Sequence, residues 1–246
     1  AEGMDLVLIA RRKEGLEQLA SSLSRSYHVD VDILCLDLSE AGAAQHIKES
    51  LGDKKISMLV YNAALSFIGP FEQDSLEHAN QIARANMITP MNLVRLFGDP
   101  MLAEGKGAII LMASLAGFQG SGYLASYAAT KAFNRVLAES LWYEWRHRGV
   151  DVIACCAGAT ATDNYLKSNP GESSLFAPRV QRPEEVASEC LQKLGSTPSF
   201  VTGTGNKVAS FFMQRFMSRR MAVRIMGDNT RKIYRAADLA RWQKEL

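Results

Sequence analysis

The chain has 246 residues, enough for one α/β domain or two small ones. It is 47% hydrophobic and 22% charged, with a net charge of +2. That is the profile of a soluble globular protein with a sizeable core, and it leaves no chain-wide basic field for a nucleic acid. The four cysteines, Cys35, Cys155, Cys156 and Cys190, form no CxxC pair and no Cys/His metal spacing. They read as buried, reduced thiols of a cytoplasmic protein, and no metal is expected. No apolar run approaches the ~20 residues of a membrane span. Leu6–Ala10 is too short for a signal-peptide core, and Arg11 and Arg12 follow it instead of preceding it.

Strand-like and helix-like segments alternate along the chain. Asp5–Ala10 is a short apolar run, and Leu16, Leu19, Ala20 and Leu23 then recur at helical spacing. Val31–Leu36 is a second strand. A helix over Ser39–Leu51 follows, with Ser39 as a plausible N-cap. Ile56–Tyr61 is a third strand, Ser75–Phe97 a long helix, and Ala108–Ala113 a fourth strand. A helix over Ser126–Arg148 leads to a fifth strand, Val150–Cys156. Gly158–Gln181 is rich in turn formers and reads as a long loop of the kind that binds ligands. Pro183 opens another helix with two acids at its positive dipole end, and Ser199–Val201 is a last short strand. Such alternation predicts an α/β fold, a parallel sheet covered by helices on both faces.

The segment most suggestive of chemistry is Tyr127-Ala128-Ala129-Thr130-Lys131. On a helix, Tyr127 and Lys131 lie one turn apart on the same face. A free phenol has a pKa near ~10, and a neighbouring ammonium favours the phenolate and lowers it. By itself such a pair is common on helix surfaces. Ser114 adds context, since it ends an apolar strand, and ligands of parallel sheets bind at the carboxyl ends of strands. A hydroxyl there can donate to a carbonyl while the tyrosine delivers the proton. Gly117, Gly120 and Gly122 supply a flexible link between the two. Asn86 lies within the preceding long helix, where an amide is a middling helix former.

Ser114, Tyr127-x-x-x-Lys131 and Asn86, in this arrangement, resemble the short-chain dehydrogenase/reductase family. Further landmarks run in family order along essentially the whole chain. Tyr61-Asn62-Ala63-Ala64 looks like the family's Asn-Asn-Ala-Gly turn, with Tyr61 in place of its first Asn and Ala64 in place of its Gly. Asp37-Leu38 looks like the strand end that contacts the adenine. Ala157-Gly158-Ala159-Thr160-Ala161-Thr162 is similar to the Pro-Gly-x-x-x-Thr segment beside the nicotinamide, with Ala157 for Pro. The resemblance implies a Rossmann-type doubly wound sheet and hydride transfer between a nicotinamide cofactor and a carbonyl or secondary alcohol. It implies Tyr127 as proton donor, Ser114 polarising the oxygen, Lys131 lowering the tyrosine pKa and holding the nicotinamide ribose, and Asn86 holding a water that links Lys131 to solvent. Asp37, Leu38, Asn62, Ala63, Ala64, Gly158, Thr160 and Thr162 are the implied cofactor contacts, together with Tyr127 and Lys131. Arg11 and Arg12 follow the first strand, where the family reads the adenosine ribose. Arginine there suits a 2′-phosphate, so NADP(H) is expected over NAD(H).

The family opens with a strand, a Gly-rich turn and a helix that grip the pyrophosphate on backbone amides. This chain shows no such unit ahead of Asp5. We therefore expect two sheet halves with open ladders, and weak NADPH binding by these 246 residues alone. The run Val201-Thr202-Gly203-Thr204-Gly205-Asn206-Lys207-Val208 fails the dinucleotide pattern, because Val208 stands where the third Gly belongs, and it reads as a turn.

Residues 1–205 are thus expected to form the catalytic domain, and 206–246 a basic helical extension of it. Between Lys207 and Arg235 of that extension, Lys207, Arg215, Arg219, Arg220, Arg224, Arg231, Lys232 and Arg235 face a single acid, Asp228. Phe211, Phe212, Phe216, Met213, Met217 and Met221 supply an apolar side. An amphipathic helix of this kind packs on its own domain or a partner subunit, covers a greasy substrate mouth, or lies peripherally on an anionic membrane. The expected function is a ketoreductase or alcohol dehydrogenase acting on a small, apolar molecule such as a steroid or acyl chain. Tyr165, Leu166, Leu175 and Phe176 are expected to line the substrate site. The rival is a non-catalytic interaction protein that keeps the fold. A homodimer or homotetramer is expected through the helices bearing Asn86 and Tyr127. Trp142, Tyr143 and Trp145 crowd the end of the second helix and cannot all face one core.

Overall fold

The computed structural model describes residues 3–162, 165 and 180–233. The elements in chain order are β1 (Leu6–Ala10), α1 (Lys13–Tyr27), β2 (Val31–Cys35), α2 (Ala43–Leu51), β3 (Met58–Tyr61), α3 (Leu76–Ala83), α4 (Thr89–Glu104), β4 (Gly107–Ser114), α5 (Ala125–Trp145), β5 (Val150–Ala157), α6 (Pro183–Lys193), β6 (Ser199–Val201), α7 (Thr204–Phe216) and α8 (Arg219–Ile233). Every strand pairing is parallel. One sheet has the order β3-β4-β5-β6, and β1 and β2 form a second.

The apolar runs of β4 and β5 form the longest ladder, from Gly107 opposite Val150 to Ser114 opposite Ala157. Both strands are buried on both faces, so their sequences need no polar alternation. On one face Ile109, Leu111, Val152 and Ala154 pack with Leu93, Val94, Phe97 and Met101 of α4 and with Trp145. On the other, Ile110, Ile153 and Cys155 pack with Val186 and Cys190 of α6. Helices therefore cover both faces, as a doubly wound sheet requires.

No ladder joins β1 to β3 among the described residues. The β1–β2 pair is held to the larger body by side chains. Ile9, Leu34 and Leu38 pack on the main core. Thr89 donates to the carbonyl of Leu38 at 2.9 Å, and Arg84 donates to that of Ser39 at 2.7 Å.

Several local expectations are corrected. Ser39 does not cap α2, whose N-cap is Gly42. The amide and hydroxyl of Ser39 instead donate to the Asp37 carboxylate, at 2.8 and 2.7 Å, because an aspartate side chain captures donors two residues on. The helix predicted over Ser75–Phe97 is α3, capped by the Ser75 hydroxyl, then a π-helical turn over Arg84–Ile88, then α4, which runs on to Glu104. Of the cysteines, Cys155, Cys156 and Cys190 are buried, but Cys35 is exposed at the end of β2, where its thiol donates to the carbonyl of Arg11. The basic extension is two helices, and α7 buries Asn206 and Ser210 while its phenylalanines face outward. Arg235, Leu166, Leu175 and Phe176 lie outside the described residues.

Gly149 joins α5 to β5 at φ +76°, and a Cβ there would overlap the carbonyl group of Gly105. Gly149→Ala should destabilise the protein by at least about 2 kcal/mol, through backbone strain and a clash with main-chain atoms. Equilibrium denaturation checks this, and a change below about half a kcal/mol would contradict it.

Candidate active site

Parallel strands all point one way, so their carboxyl ends make one edge. Asp37 follows β2 there, Arg11 follows β1, Asn62 follows β3, Ser114 ends β4 and Gly158 follows β5. Asn62, Ala63 and Ala64 are exposed along this edge. Such a row of strand ends is where doubly wound sheets receive dinucleotides.

Helix α5, which carries Tyr127 and Lys131, packs on the end of β4, which closes with Ser114. The turn after Ser114 lies directly on α5. A Cβ at Gly117 would be 2.7 Å from the backbone nitrogen of Ala132 and 2.8 Å from the carbonyl carbon of Lys131. Gly117 is therefore fixed by close approach, where the sequence suggested only a flexible link. The hydroxyl of Ser114 accepts from the amide of Ala116 at 3.2 Å, and that bond leaves its own proton to donate.

Lys131 is buried, 3% exposed, and its ammonium donates to the carbonyl of Met112 in β4 at 2.7 Å. Its Nζ stands 5.6 Å from the centre of the Tyr127 ring. Burial removes the ammonium from water and lowers its pKa from 10.5 to about 8, against a smaller opposing pull from Cys155 and Cys156. Tyr127 itself is only partly buried.

Asn86 is fully buried in the π-helical turn. Its carboxamide oxygen accepts from the amide of Leu65, and its nitrogen donates to the carbonyl of Leu65, both at 2.8 Å. The same nitrogen donates to the hydroxyl of Thr130 at 3.0 Å, and Thr130 donates to the carbonyl of Tyr127 at 2.8 Å. Asn86 thus ties the loop after β3 to the turn of α5 between Tyr127 and Lys131. Tyr61 is buried, and its hydroxyl donates to the carbonyl of Ala85, next to Asn86. Burial pushes the Tyr61 phenol far up, so it remains a donor. Sequence reasoning missed Thr130 and the Tyr61 bond. Only the position of Thr130 inside the Tyr127–Lys131 segment hinted at the first.

At the other end of the edge, Arg11 and Asp37 pair with each other at 3.5 Å. Burial opposes ionisation of Asp37, but the Ser39 amide and hydroxyl together with Arg11 outweigh it and hold the carboxyl below its usual value. Arg12 is exposed at the N-cap of α1. The carbonyl of Leu38 is taken by Thr89. Beyond Gly158, Thr160 donates to the Gly158 carbonyl at 3.3 Å, and the Thr162 hydroxyl accepts from the Tyr165 amide at 3.3 Å. The two ends of the long loop are fastened together, with Ala161 donating to Gln181 and Gln181 to Ala159, each at 2.9 Å.

Comparison with known proteins shows the family. The model of the short chain dehydrogenase family matches residues 1–173. A 7β-hydroxysteroid dehydrogenase of Clostridium sardiniense is 31% identical over 205 residues, 83% of this chain and 78% of that protein. A solved structure described for insight into 7β-hydroxysteroid dehydrogenase stereoselectivity superposes with a TM-score of 0.86 at 27% identity, covering 92% of this chain and 88% of that one. A short-chain dehydrogenase from Sphingobium yanoikuyae in complex with NADPH gives a TM-score of 0.72 at 28% identity, over 82% and 78% of the two chains. The chain belongs to the short-chain dehydrogenase/reductase family, and it is an oxidoreductase of Rossmann-type fold.

The lowered pKa of Lys131 makes stability depend on pH. From about 8 up to 10.5 the unfolded chain holds a proton at Lys131 that the folded chain has shed, so unfolding free energy should rise with pH across that window. Lys131→Met should remove this rise, as read from urea denaturation along a pH series. An identical slope in both proteins would show that Lys131 titrates normally in the fold.

Proposed function

We propose that the protein is an NADP(H)-dependent ketone reductase or secondary-alcohol dehydrogenase acting on an apolar substrate of steroid-like bulk. The observation that carries this reading is the buried Lys131 ammonium beside Tyr127, held on the strand that ends in Ser114. A bound nicotinamide cofactor supplies or accepts the hydride at the carbonyl carbon. The residues of the chain handle the oxygen and its proton. Ser114 donates to the substrate oxygen and polarises it. Tyr127 gives that oxygen a proton in reduction and takes one in oxidation. Lys131 favours the phenolate in between and, with its pKa lowered to about 8, exchanges protons readily. Asn86 braces this arrangement through Leu65 and Thr130, and we assign it a water that continues the proton path from Lys131.

The residues present suit the ends of a dinucleotide. Lys131 and Tyr127 would hold the nicotinamide ribose, with Gly158, Thr160 and Thr162 beside the ring. Asn62, Ala63 and Ala64 lie along the exposed middle of the edge, and Asp37 and Leu38 would meet the adenine. Arg11 and Arg12 would take the 2′-phosphate, which requires Arg11 to share its guanidinium with Asp37 or leave it. The NADPH complex of the Sphingobium relative supports this cofactor, and the steroid dehydrogenase relatives support the substrate class. We assign residues 1–205 to the catalytic body and 206–246 to an extension of it. A homo-oligomer through α4 and α5 is supported by the aromatic residues at the end of α5. Trp145 is buried against Gly98, whereas Tyr143 is 70% exposed.

The test is the oxidation of hydroxysteroids and the reduction of bulky ketones with each cofactor. NADP(H) should give the higher kcat/KM, and Arg11→Asp should shift the ratio toward NAD(H) by about tenfold or more, since a carboxylate repels the 2′-phosphate. An unchanged ratio would show that Arg11 does not read that phosphate. Failure to turn over any ketone or secondary alcohol with either cofactor, by a protein that carries the family's Gly-rich unit ahead of Asp5, would overturn the reading.

A further inference from the structure

Helix α7 is amphipathic in the reverse of the usual sense. Asn206 and Ser210 face inward and are buried, Asn206 donating to Gln181 and Ser210 accepting from Gln214 at 2.7 Å. Phe211, Phe212 and Phe216 face outward, 59%, 54% and 69% exposed. Their rings touch one another, with centroids 5.3–6.1 Å apart. Val208, also exposed, extends the row on the same helical face. A cluster of large apolar side chains gathered in water, with polar residues on the buried side, marks a surface for something else to cover.

Charge selects what covers it. Helix α7 carries Lys207 and Arg215 and no carboxylate. Helix α8 follows after a short break, opening with Arg219 and Arg220 and adding Arg224 a turn later, with Met221 and Val223 exposed among them. Its one acid, Asp228, is 3.7 Å from Arg231. Lys207 is engaged by Glu189, and Arg219 donates to the carbonyl of Phe118. Arg215, Arg220 and Arg224 are exposed beside the apolar residues. A second copy of the chain docked through this face would set these cations against their own counterparts. Anionic headgroups satisfy them, while the boundary between headgroups and acyl chains takes the phenyl rings. Among the described residues no helix is long and apolar enough to cross a membrane, so any such contact is peripheral.

We infer that the α7–α8 surface docks the protein on an anionic phospholipid bilayer, with Phe211, Phe212 and Phe216 at the headgroup boundary and Arg215, Arg220 and Arg224 among the phosphates. The docking is independent of the redox chemistry and stands or falls separately from it. Vesicle co-sedimentation tests it, with phosphatidylcholine alone and with about one third phosphatidylserine. The chain should bind the anionic vesicles at least about tenfold more tightly than the neutral ones, and added salt should weaken the binding. Replacing the three phenylalanines by serine, or Arg215, Arg220 and Arg224 by glutamate, should each reduce binding by at least about tenfold while leaving the circular dichroism unchanged. If either variant misfolds, the lipid selectivity and salt dependence of the wild type decide the matter. Equal binding to both vesicle types, or none, overturns the proposal. A dimer that the serine variant abolishes, without vesicle binding, would assign the face to a second copy. Vesicle binding that emerges only after removal of residues 234–246 would assign it to the chain's own end.

Discussion

The site depends on how closely α5 lies on the end of β4. Gly117 lets the chain leaving β4 touch the backbone of α5 at Lys131 and Ala132, where any side chain would hold the two apart. That contact seats the turn that follows Ser114 on the segment of α5 that carries Lys131. The Lys131 side chain is buried there, and Met112 of β4 accepts one of its three protons. A single neutral carbonyl compensates a buried ammonium only in part. The shortfall appears as the lowered pKa of about 8, and in the proposed reaction such a group would favour a phenolate and exchange protons readily.

Around this contact the structure is braced from the side of β3. The π-helical turn places Asn86 where its carboxamide binds the backbone of Leu65 at both ends and reaches Thr130. Tyr61 holds the same turn from beneath, through Ala85. Arg84 and Thr89, on either side of Asn86, reach across to Ser39 and Leu38. One short stretch of helix thereby connects the proposed proton-transfer residues to the strand end where the adenine would lie. In the family resemblance the Tyr61 position is an Asn. Here a phenol stands in its place, and it reaches a main-chain acceptor at Ala85.

Much of this was legible in the sequence, because the strongest patterns belong to elements buried on both faces. The apolar runs of β4 and β5 left no choice but strand, and Ser199–Val201 was placed to the residue. Tyr127, Lys131, Ser114 and Asn86 could be singled out by type and spacing. What stayed hidden depended on three-dimensional competition. Ser39 had the right identity for an N-cap, but Asp37 took its donors. The π-helical turn leaves the helical pattern around Arg84–Ile88 nearly unchanged, so periodicity cannot see it. Cys35 sits in an apolar run yet at an exposed strand end. The phenylalanines of α7 have helical spacing whichever way they face, and only the burial of Asn206 and Ser210 reveals that they point outward.

The central claim is that Tyr127 carries the proton. The most direct measurement is the single-turnover rate of ketone reduction by the Tyr127→Phe protein, made in a chain that carries the family's Gly-rich unit ahead of Asp5, with cofactor affinity determined alongside. The account predicts a loss of roughly 10²–10⁴ in rate with affinity little changed, because only the proton-bearing hydroxyl is removed and the proposed hold of Lys131 on the ribose would remain. Retention of about a tenth or more of the wild-type rate, with chemistry shown to be rate-limiting, would contradict it.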